Sequence, residues 1–290
     1  MIKNTSIIET MMRVWRKNAE GDLDGLKKHL ADKSHADMNP PLVPPTRHIA
    51  VSEHSVGGFH VYTLTPETIK TERPLLYLHG GGYMDAANVF HWRFCERFAE
   101  EAGCRVLFPI YPLTPKYTYK DAYAFLETLF AEELKGTGWS VMGDSAGGGL
   151  AAGFAMELAS RGEELPRKAV LLSPWLDITM SDPDMKDYID VEPLLDIDRL
   201  RLQGLSWAGD TDPTDWHVSP INGDASVLPP TLIFTGTHEI LHPEAVKFAA
   251  RVPDCKLITA EGMAHCYPLY PIREGEEALG QMLEFMGADE

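Results

Sequence analysis

The segment Gly143-Asp-Ser-Ala-Gly147 places one serine between two glycines. It follows the apolar run 139–142 and leads into a run of small residues, so the pattern predicts a strand, a sharp turn and a helix, with Ser145 on the turn. Glycine on both sides permits the strained backbone of such a turn, and the serine oxygen then lies beside the positive end of the helix. The chemistry this favours is nucleophilic attack by Ser145; a glycine-rich turn without chemistry is the alternative.

A second glycine-rich segment, His79-Gly-Gly-Gly82, directly follows the predicted strand 74–78. Consecutive glycines leave backbone N–H groups uncovered. Such groups can stabilise an oxyanion together with the N–H of the residue after a nucleophile. We therefore predict that Gly81, Gly82 and Ala146 are oxyanion donors. A phosphate-binding loop is the alternative, which the lack of a following Gly-Lys-Ser/Thr sequence disfavours.

A serine hydroxyl needs a base to take its proton, and the base needs an acid to orient it. His265 lies in Glu261-Gly-Met-Ala-His265, after the last predicted strand, and is the predicted base. Glu239 follows the predicted strand 231–237 and is the predicted acid. Asp177 follows the preceding predicted strand and is its rival, because it also lies between the serine and the histidine in the chain.

The segment His238-Glu-Ile-Leu-His242 matches the His-Glu-x-x-His pattern of zinc peptidases. That pattern works only within one continuous helix, where both histidines share a face. Here a strand is predicted up to Thr237, and Pro243 follows at once, which favours the first turn of a helix over its middle. We therefore expect no metal and no cofactor, and zinc chemistry is a minor alternative.

The elements that must position these residues begin with helical sequence over 1–35, interrupted at Gly21 and Gly25, and a proline-rich linker over 39–45. A hairpin of two strands and then a regular alternation of strands and helices follow. Predicted strands cover 47–56, 59–65, 74–78, 105–111, 139–142, 168–175, 231–237 and 255–260. Predicted helices cover 89–102, 117–134, 146–161, 243–251 and 274–286.

The alternation predicts an α/β fold with a mostly parallel sheet of about eight strands and helices on both faces. In such sheets the reactive loops gather at the carboxyl ends of the strands, where Ser145 is placed. Residues 177–215 break the pattern, being rich in Asp, Pro and Leu, with a short helix near 198–207. This segment is interpreted as an insertion.

Four segments together resemble the bacterial hormone-sensitive-lipase-like (family IV) carboxylesterases, which have the α/β-hydrolase fold. They are His79-Gly-Gly-Gly-Tyr83, Gly143-Asp-Ser-Ala-Gly-Gly148, Ser173-Pro-Trp-Leu-Asp177 and Gly262-Met-Ala-His265. The resemblance covers about residues 75–267 in order and spacing. It implies the roles of Ser145, His265, Gly81, Gly82 and Ala146 given above. Glu239 departs from the family, which usually has aspartate there.

The resemblance also implies a cap built from the N-terminal helices and the insertion. The expected domains are a cap segment 1–45, a catalytic core 46–178 and 216–290, and a cap insertion 179–215. Substrate contacts are expected at His79, Gly80, Tyr83, Asp144 and Trp207. Six cap side chains are candidates for the lining of an apolar pocket under the cap, with ordinary packing of the cap helices as an equal alternative for each: Met11, Met12, Trp15, Leu202, Leu205 and Trp207.

The predicted function is a serine carboxylesterase for small, short-acyl, uncharged esters. Amide, carbonate or lactone hydrolysis remains open. A non-catalytic small-ligand receptor on the same fold is the alternative, which the presence of His265 disfavours. The expected partner is a small-molecule ester, and a homodimer is possible.

The amino-acid composition excludes further classes of binding partner. The 290-residue chain carries a formal net charge of −17, which would repel nucleic acids and anionic membranes. The first ten residues include Lys3 and Glu9 where a signal peptide needs an apolar run, so a cytoplasmic location is expected. Four scattered cysteines fit reduced thiols in that compartment.

Overall fold

The computed structural model describes residues 5–19, 23–36, 38 and 48–287. Within these ranges the chain forms eight strands and eight α-helices. The strands are β1 (Ile49–Val56), β2 (Phe59–Pro66), β3 (Leu75–Leu78), β4 (Val106–Pro109), β5 (Ser140–Asp144), β6 (Ala169–Leu172), β7 (Thr231–His238) and β8 (Cys255–Ala264). The helices are α1 (Thr5–Ala19), α2 (Leu23–Ala31), α3 (Val89–Ala102), α4 (Tyr119–Leu129), α5 (Ala146–Ser160), α6 (Ile197–Ala208), α7 (His242–Ala249) and α8 (Arg273–Gly287).

The strands make one sheet in the order β1-β2-β4-β3-β5-β6-β7-β8. The pairs β1–β2 and β2–β4 are antiparallel, and every later pair is parallel. All residues of β3, β4, β5 and β6 are buried, as expected when helices cover both faces of a parallel sheet. The predicted fold class is therefore confirmed.

The sheet lies between two hydrophobic clusters, one on each face. One contains Trp139, Phe154 and Phe248, and the other contains Tyr77, Trp92 and Phe108. The long apolar α5, rich in glycine and alanine, packs against β5, β6 and β3. This close packing fixes the position of the turn that joins β5 to α5.

Helix α1 and the segment before α6 meet at the carboxyl edge of the sheet. Arg13 Nη2 donates to the carbonyl of Val191 at 3.1 Å, and Arg16 Nη1 donates to that of Glu192 at 2.6 Å. Helix α2 packs on α6. The predicted linker over 39–45 lies outside the described residues, and the predicted domain boundaries stay a prediction.

Two elements differ from expectation. The predicted helix over 117–134 is α-helical only to Leu129 and continues as a π-helix over Phe130–Leu134. Strand β8 extends to Ala264, beyond the predicted end at 260, and pairs with β7 across a register shift. No described helix is long and apolar enough to span a bilayer.

Candidate active site

Five neighbouring strands deliver the predicted site from the same edge of the sheet. The glycine loop follows β3, Ser145 follows β5, Ser173 follows β6, Glu239 follows β7 and His265 follows β8. Because these strands are parallel, their carboxyl ends meet at one edge. The chemistry-bearing residues are thus distant in sequence and adjacent in space.

Ser145 occupies the turn between β5 and α5 with φ 52° and ψ −121°, a strained backbone for a residue with a side chain. A Cβ at Gly147 would lie 2.0 Å from the carbonyl oxygen of Leu78. A Cβ at Gly143 would lie 2.3 Å from the carbonyl oxygen of Gly147. The two glycines of the predicted turn are therefore required by the approach of α5 to β3 and to its own strand.

Ser145, His265 and Glu239 form a continuous hydrogen-bonded chain. Ser145 Oγ lies 2.9 Å from His265 Nε2, and His265 Nδ1 lies 2.6 Å from Glu239 Oε2. All three side chains are buried. A carboxylate can only accept a hydrogen bond, so the imidazole proton is on Nδ1 and Nε2 is free to accept the proton of the serine.

The environment makes His265 a stronger base than an ordinary histidine. Burial acts to lower its pKa, but the hydrogen bond and charge of Glu239, with the charges of Glu192 and Asp144, outweigh burial and raise the pKa. The second oxygen of Glu239 accepts from Ser173 Oγ at 2.9 Å, Thr235 Oγ1 at 2.7 Å and Gly236 N at 2.7 Å. These donors fix the carboxylate that contacts His265.

Asp177, the rival acid, is engaged elsewhere. Its oxygens accept from Thr179 N and Thr179 Oγ1, both at 2.8 Å, and from the hydroxyls of Ser181 and Ser219. These contacts close a turn beyond β6. Within the described residues, Glu239 and not Asp177 contacts His265.

Ser173 links the acid to the loop of the base. Its hydroxyl donates to Glu239 and accepts from Cys266 N at 3.0 Å. Its backbone lies in the left-handed region with φ 46°, and its side chain is fully buried. Sequence reasoning recorded Ser173 only as part of a motif and assigned it no role.

Glu192 is a second buried carboxylate near the base, and sequence reasoning missed it. Its Oε1 accepts from Leu194 N at 2.7 Å and Leu195 N at 2.9 Å. Its Oε2 accepts from Ile240 N at 3.0 Å, the residue after Glu239. Burial raises the pKa of Glu192, and these three N–H groups oppose the shift. The carboxylate thereby joins the segment before α6 to the loop that carries Glu239.

The glycine loop lies against the nucleophile. Gly81 and Gly82 line the same cavity as Ser145 and have φ 112° and 60°. Among the described residues their N–H groups meet no acceptor. Ala146 begins α5, where the first N–H groups of a helix are also uncovered. Gly81 and Gly82 thus border the cavity, and Ala146 directly follows Ser145, which also lines it.

Asp144 holds this loop in place from behind. Its Oδ1 accepts from Gly80 N at 3.0 Å and from Tyr77 OH at 2.7 Å, and its Oδ2 lies 3.1 Å from His91 Nε2. His91 Nδ1 accepts from the N–H of Asn88, so the proton of His91 is on Nε2 and points to the carboxylate. Burial acts to raise the pKa of Asp144, but His91 and Tyr77 outweigh burial and lower it.

Most of the predicted substrate contacts need correction. Of the five residues, only Asp144 lines the cavity. Gly80 and His79 are buried behind the loop, and burial together with His91 lowers the pKa of His79 to about 4. Tyr83 and Trp207 are buried and stack on each other at 4.2 Å between ring centroids. Aromatic rings bury so much apolar area that they pack into the core.

The predicted apolar lining of the cavity by cap side chains is also wrong for the residues described. Met11 and Leu205 point to solvent, Met12 is buried in the core, and Leu202 does not line the cavity. The side chain of Trp15 lies outside the described part.

The cavity beside Ser145 has a volume of about 460 Å³. Its core wall contains the glycine loop, Ser145 and His265, and its opposite wall comes from Arg16, the segment before α6, and α6 itself. The apolar part of the lining consists of Met84, Ala86, Phe90, Leu194, Leu195, Leu200, Leu269 and Tyr270. This size lies within the range of small-molecule sites.

The two histidines of the zinc-like segment do not share a helix. His238 ends β7, and its Nδ1 lies 2.8 Å from Glu9. His242 begins α7, and its Nδ1 lies 3.1 Å from Thr235 Oγ1. Among the described residues no set of three or more His, Cys, Asp or Glu side chains has the arrangement of a metal site. The segment is therefore the acid loop and the start of a helix.

Comparison with known proteins agrees with the fold and motifs. A family model for the alpha/beta hydrolase fold matches residues 75–269. The chain belongs to the α/β-hydrolase family, and the resemblance to its hormone-sensitive-lipase-like branch is confirmed.

Three individual matches support this. An acetyl-hydrolase of Streptomyces hygroscopicus is 34% identical over 60% of this chain and 59% of that protein. A triacylglycerol lipase of Mycobacterium tuberculosis is 31% identical over 71% of this chain. The chain spans only 44% of the length of that lipase. The crystal structure of an esterase from the bacterial hormone-sensitive lipase family superposes with TM-score 0.79 at 26% identity, covering 98% of both chains.

Proposed function

We propose that this protein is a serine carboxylic ester hydrolase in which Ser145 is the nucleophile, His265 the base and Glu239 the acid. The observation that carries the proposal is the hydrogen-bonded chain from Ser145 Oγ through His265 to Glu239, in the wall of a cavity. Relatives named as an acetyl-hydrolase and a lipase support the reaction class.

In the first step His265 Nε2 takes the proton of Ser145 as Oγ bonds to the ester carbonyl carbon. The imidazolium that forms is stabilised by Glu239, which lies 2.6 Å from Nδ1. The carbonyl oxygen becomes an oxyanion, which Gly81, Gly82 and Ala146 would receive with their N–H groups. Each such donor typically contributes about 3 kcal/mol of transition-state stabilisation.

In the second step His265 gives its proton to the leaving alkoxide, the carbon–oxygen bond to the alcohol breaks, and an acyl-serine remains. Water then attacks the acyl carbon while His265 accepts a proton from it. The bond between that carbon and Ser145 Oγ breaks, His265 returns the proton to Oγ, and the carboxylic acid is released. Both half-reactions use the same base and the same donors, and neither needs a metal or a cofactor.

The proposed substrates are small, uncharged esters with short acyl groups. A cavity of about 460 Å³ has room for a small ligand, and its charged side chains carry both signs: Arg16 and Arg199 against Asp85, Asp144 and Asp196. A lining with charges of both signs gives no strong attraction to a charged ester. We further propose that segments 1–45 and 179–215 act as a cap over this cavity.

A p-nitrophenyl ester series from acetate to decanoate tests the proposal on the purified protein. We expect hydrolysis with highest kcat/KM on the short esters. A fluorophosphonate should add its mass to Ser145 in wild type and to no residue in Ser145→Ala. Absence of both hydrolysis and labelling would favour the ligand receptor, and loss of activity with a chelator would favour zinc chemistry.

A further inference from the structure

One face of α6 and its N-cap residue form the wall of the cavity opposite the nucleophile. Asp196, Arg199, Leu200 and Gln203 all line the cavity. Their spacing of three, one and three residues places them on one side of a helix. Three of the four are polar. A wall built to hold only alkyl chains would present apolar side chains at these positions, so the composition of this face points to a substrate with polar groups.

The charged members of this face are engaged within the protein. Asp196 is the N-cap of α6, and its Oδ1 accepts from Arg199 N at 2.9 Å. Arg199 has interactions of its own and carries the opposite charge to Asp196. The opposite charges of Asp196 and Arg199 cancel, so the pair gives this face of α6 no net charge. The neutral Gln203 remains as the polar group available to a ligand.

Gln203 is only 6% exposed, yet its carboxamide has almost no partner. Its Nε2 approaches the sulfur of Met84 at 3.9 Å, and a thioether is a weak acceptor. Among the described residues no nitrogen or oxygen atom forms a hydrogen bond with this carboxamide. Gln203 therefore keeps hydrogen-bonding capacity at the surface of the cavity, where a bound ligand can use it.

The carboxamide also lies beside the proposed oxyanion donors. A Cβ at Gly82 would be 2.7 Å from Gln203 Oε1 and 3.1 Å from its Nε2. The ester carbonyl, if it binds to the N–H groups of the glycine loop, is therefore placed next to Gln203. A polar group a few bonds from that carbonyl is within reach of the carboxamide.

We propose that Gln203 is a substrate-binding residue that selects esters with a hydroxyl group close to the ester carbonyl, on the acyl or the alcohol side. A hydroxyl both donates and accepts, so it can use either end of the carboxamide. This proposal rests on the proposed ester hydrolysis and narrows its substrate class from plain alkyl esters to short hydroxylated ones.

The test uses two matched pairs of esters, each differing mainly by one hydroxyl. Ethyl 3-hydroxybutyrate is compared with ethyl butyrate for the acyl side, and 2-hydroxyethyl butyrate with propyl butyrate for the alcohol side. In wild type we expect kcat/KM to be at least about tenfold higher for the hydroxylated ester of one pair, because sites built to hydrogen-bond a hydroxyl discriminate strongly against analogues without it.

The variant Gln203→Met keeps the length of the side chain and removes the hydrogen-bonding groups. We expect it to lose about tenfold in kcat/KM on the preferred hydroxylated ester and to stay within about threefold of wild type on the plain one. The matched control is Gln281→Met, the same exchange on α8 outside the cavity lining, which should change neither value.

Two results would overturn the proposal. In the first, wild type shows no preference in either pair, which needs no variant to establish. In the second, Gln203→Met lowers kcat/KM equally for both esters of a pair, as a loss of packing would do. If wild type hydrolyses none of the four esters, the proposed function itself fails. Calorimetric binding of the same esters to wild type and Gln203→Met then decides the subsite separately.

Discussion

The reactive side chains of the core wall and the Gln203 carboxamide of the opposite wall differ in how far the protein satisfies their hydrogen-bonding groups. On the core wall Ser145, His265 and Asp144 are each held by side-chain hydrogen bonds to residues at the ends of buried strands or on α3. On the opposite wall the one hydrogen-bond contact of the Gln203 carboxamide among the described residues is to the sulfur of Met84. The first wall is fixed before any ligand arrives, as bond-making chemistry requires. The second keeps hydrogen-bonding capacity for what enters.

Loss of the nucleophile should give the largest effect on the core wall. We expect Ser145→Ala to lower kcat on p-nitrophenyl butyrate by about 10⁴- to 10⁶-fold, since the attacking oxygen is gone. Ser160→Ala, at the exposed end of α5, is the control and should retain wild-type rates. Circular dichroism checks that both variants fold. If Ser145→Ala kept a tenth of the wild-type kcat, Ser145 would not be the nucleophile.

The paired acids test whether the core wall works as a unit. Glu239→Ala should lose about 10³- to 10⁴-fold in kcat, because the imidazole is no longer oriented. The kcat of Asp177→Ala should stay within about tenfold of the wild-type value, because Asp177 accepts its hydrogen bonds from Thr179, Ser181 and Ser219. Steady-state kinetics on one ester measures both. Equal and mild losses in the two variants would contradict the assignment of the acid.

Glu192 connects the two walls, and its charge should appear in the pH profile. The charge of Glu192 is one of the causes that raise the pKa of His265. Removing it in Glu192→Gln should lower that pKa. The free base is needed for attack, so the acid limb of kcat/KM against pH should move to lower pH, accompanied by a fall in kcat.

The control for this shift is Glu132→Gln, an exposed carboxylate on the π-helix, which should leave the profile in place. An unchanged acid limb in Glu192→Gln, with the protein folded, would mean that the carboxylate acts only by its three hydrogen bonds to backbone N–H groups.

Two glycines should show how rigid each wall is. Alanine at Gly147 would place its Cβ 2.0 Å from a backbone carbonyl, whereas at Gly204 on α6 the nearest atom is the Ile178 Cβ at 2.6 Å. We expect Gly147→Ala to cost at least about 3 kcal/mol in free energy of unfolding and Gly204→Ala about 1–3 kcal/mol.

Urea titration measures both changes. Gly280→Ala, in α8 with no atom within 4 Å of the added carbon, is the reference and should stabilise by about 0.5–1 kcal/mol. If Gly204→Ala lowered the free energy of unfolding as much as Gly147→Ala, the two walls would be equally rigid.

The core wall was largely predictable from sequence because its parts are local. Segments of about five residues encode the elbow, the glycine loop and the histidine loop, and strand–helix alternation places them at one edge. The choice between Glu239 and Asp177 was open because both follow neighbouring strands, and sequence alone does not reveal where the chain turns beyond each strand. The bulge that extends β8 to Ala264 was also not encoded in a recognisable pattern.

The opposite wall was poorly predicted for a physical reason. Apolar side chains attract attention in a sequence, and for α6 the expected lining consisted of Leu202, Leu205 and Trp207. Hydrophobic periodicity indicates which side of a helix packs on the core but gives no rule for a side that faces a cavity, so Gln203 carried no signal. Glu192 lies in an acidic, irregular segment, where no sequence pattern distinguishes one carboxylate from the others.

The bonds from Arg13 and Arg16 to Val191 and Glu192 have a consequence for biosynthesis. They join positions 178 and 176 residues apart, so α1 leaves the ribosome long before its partners exist. Until then α1 cannot make these contacts. Translation therefore passes through a stage in which this amphipathic helix, whose Ile8 and Met12 are buried in the finished protein, is not fully docked, and exposed apolar surface of this kind recruits chaperones and promotes aggregation.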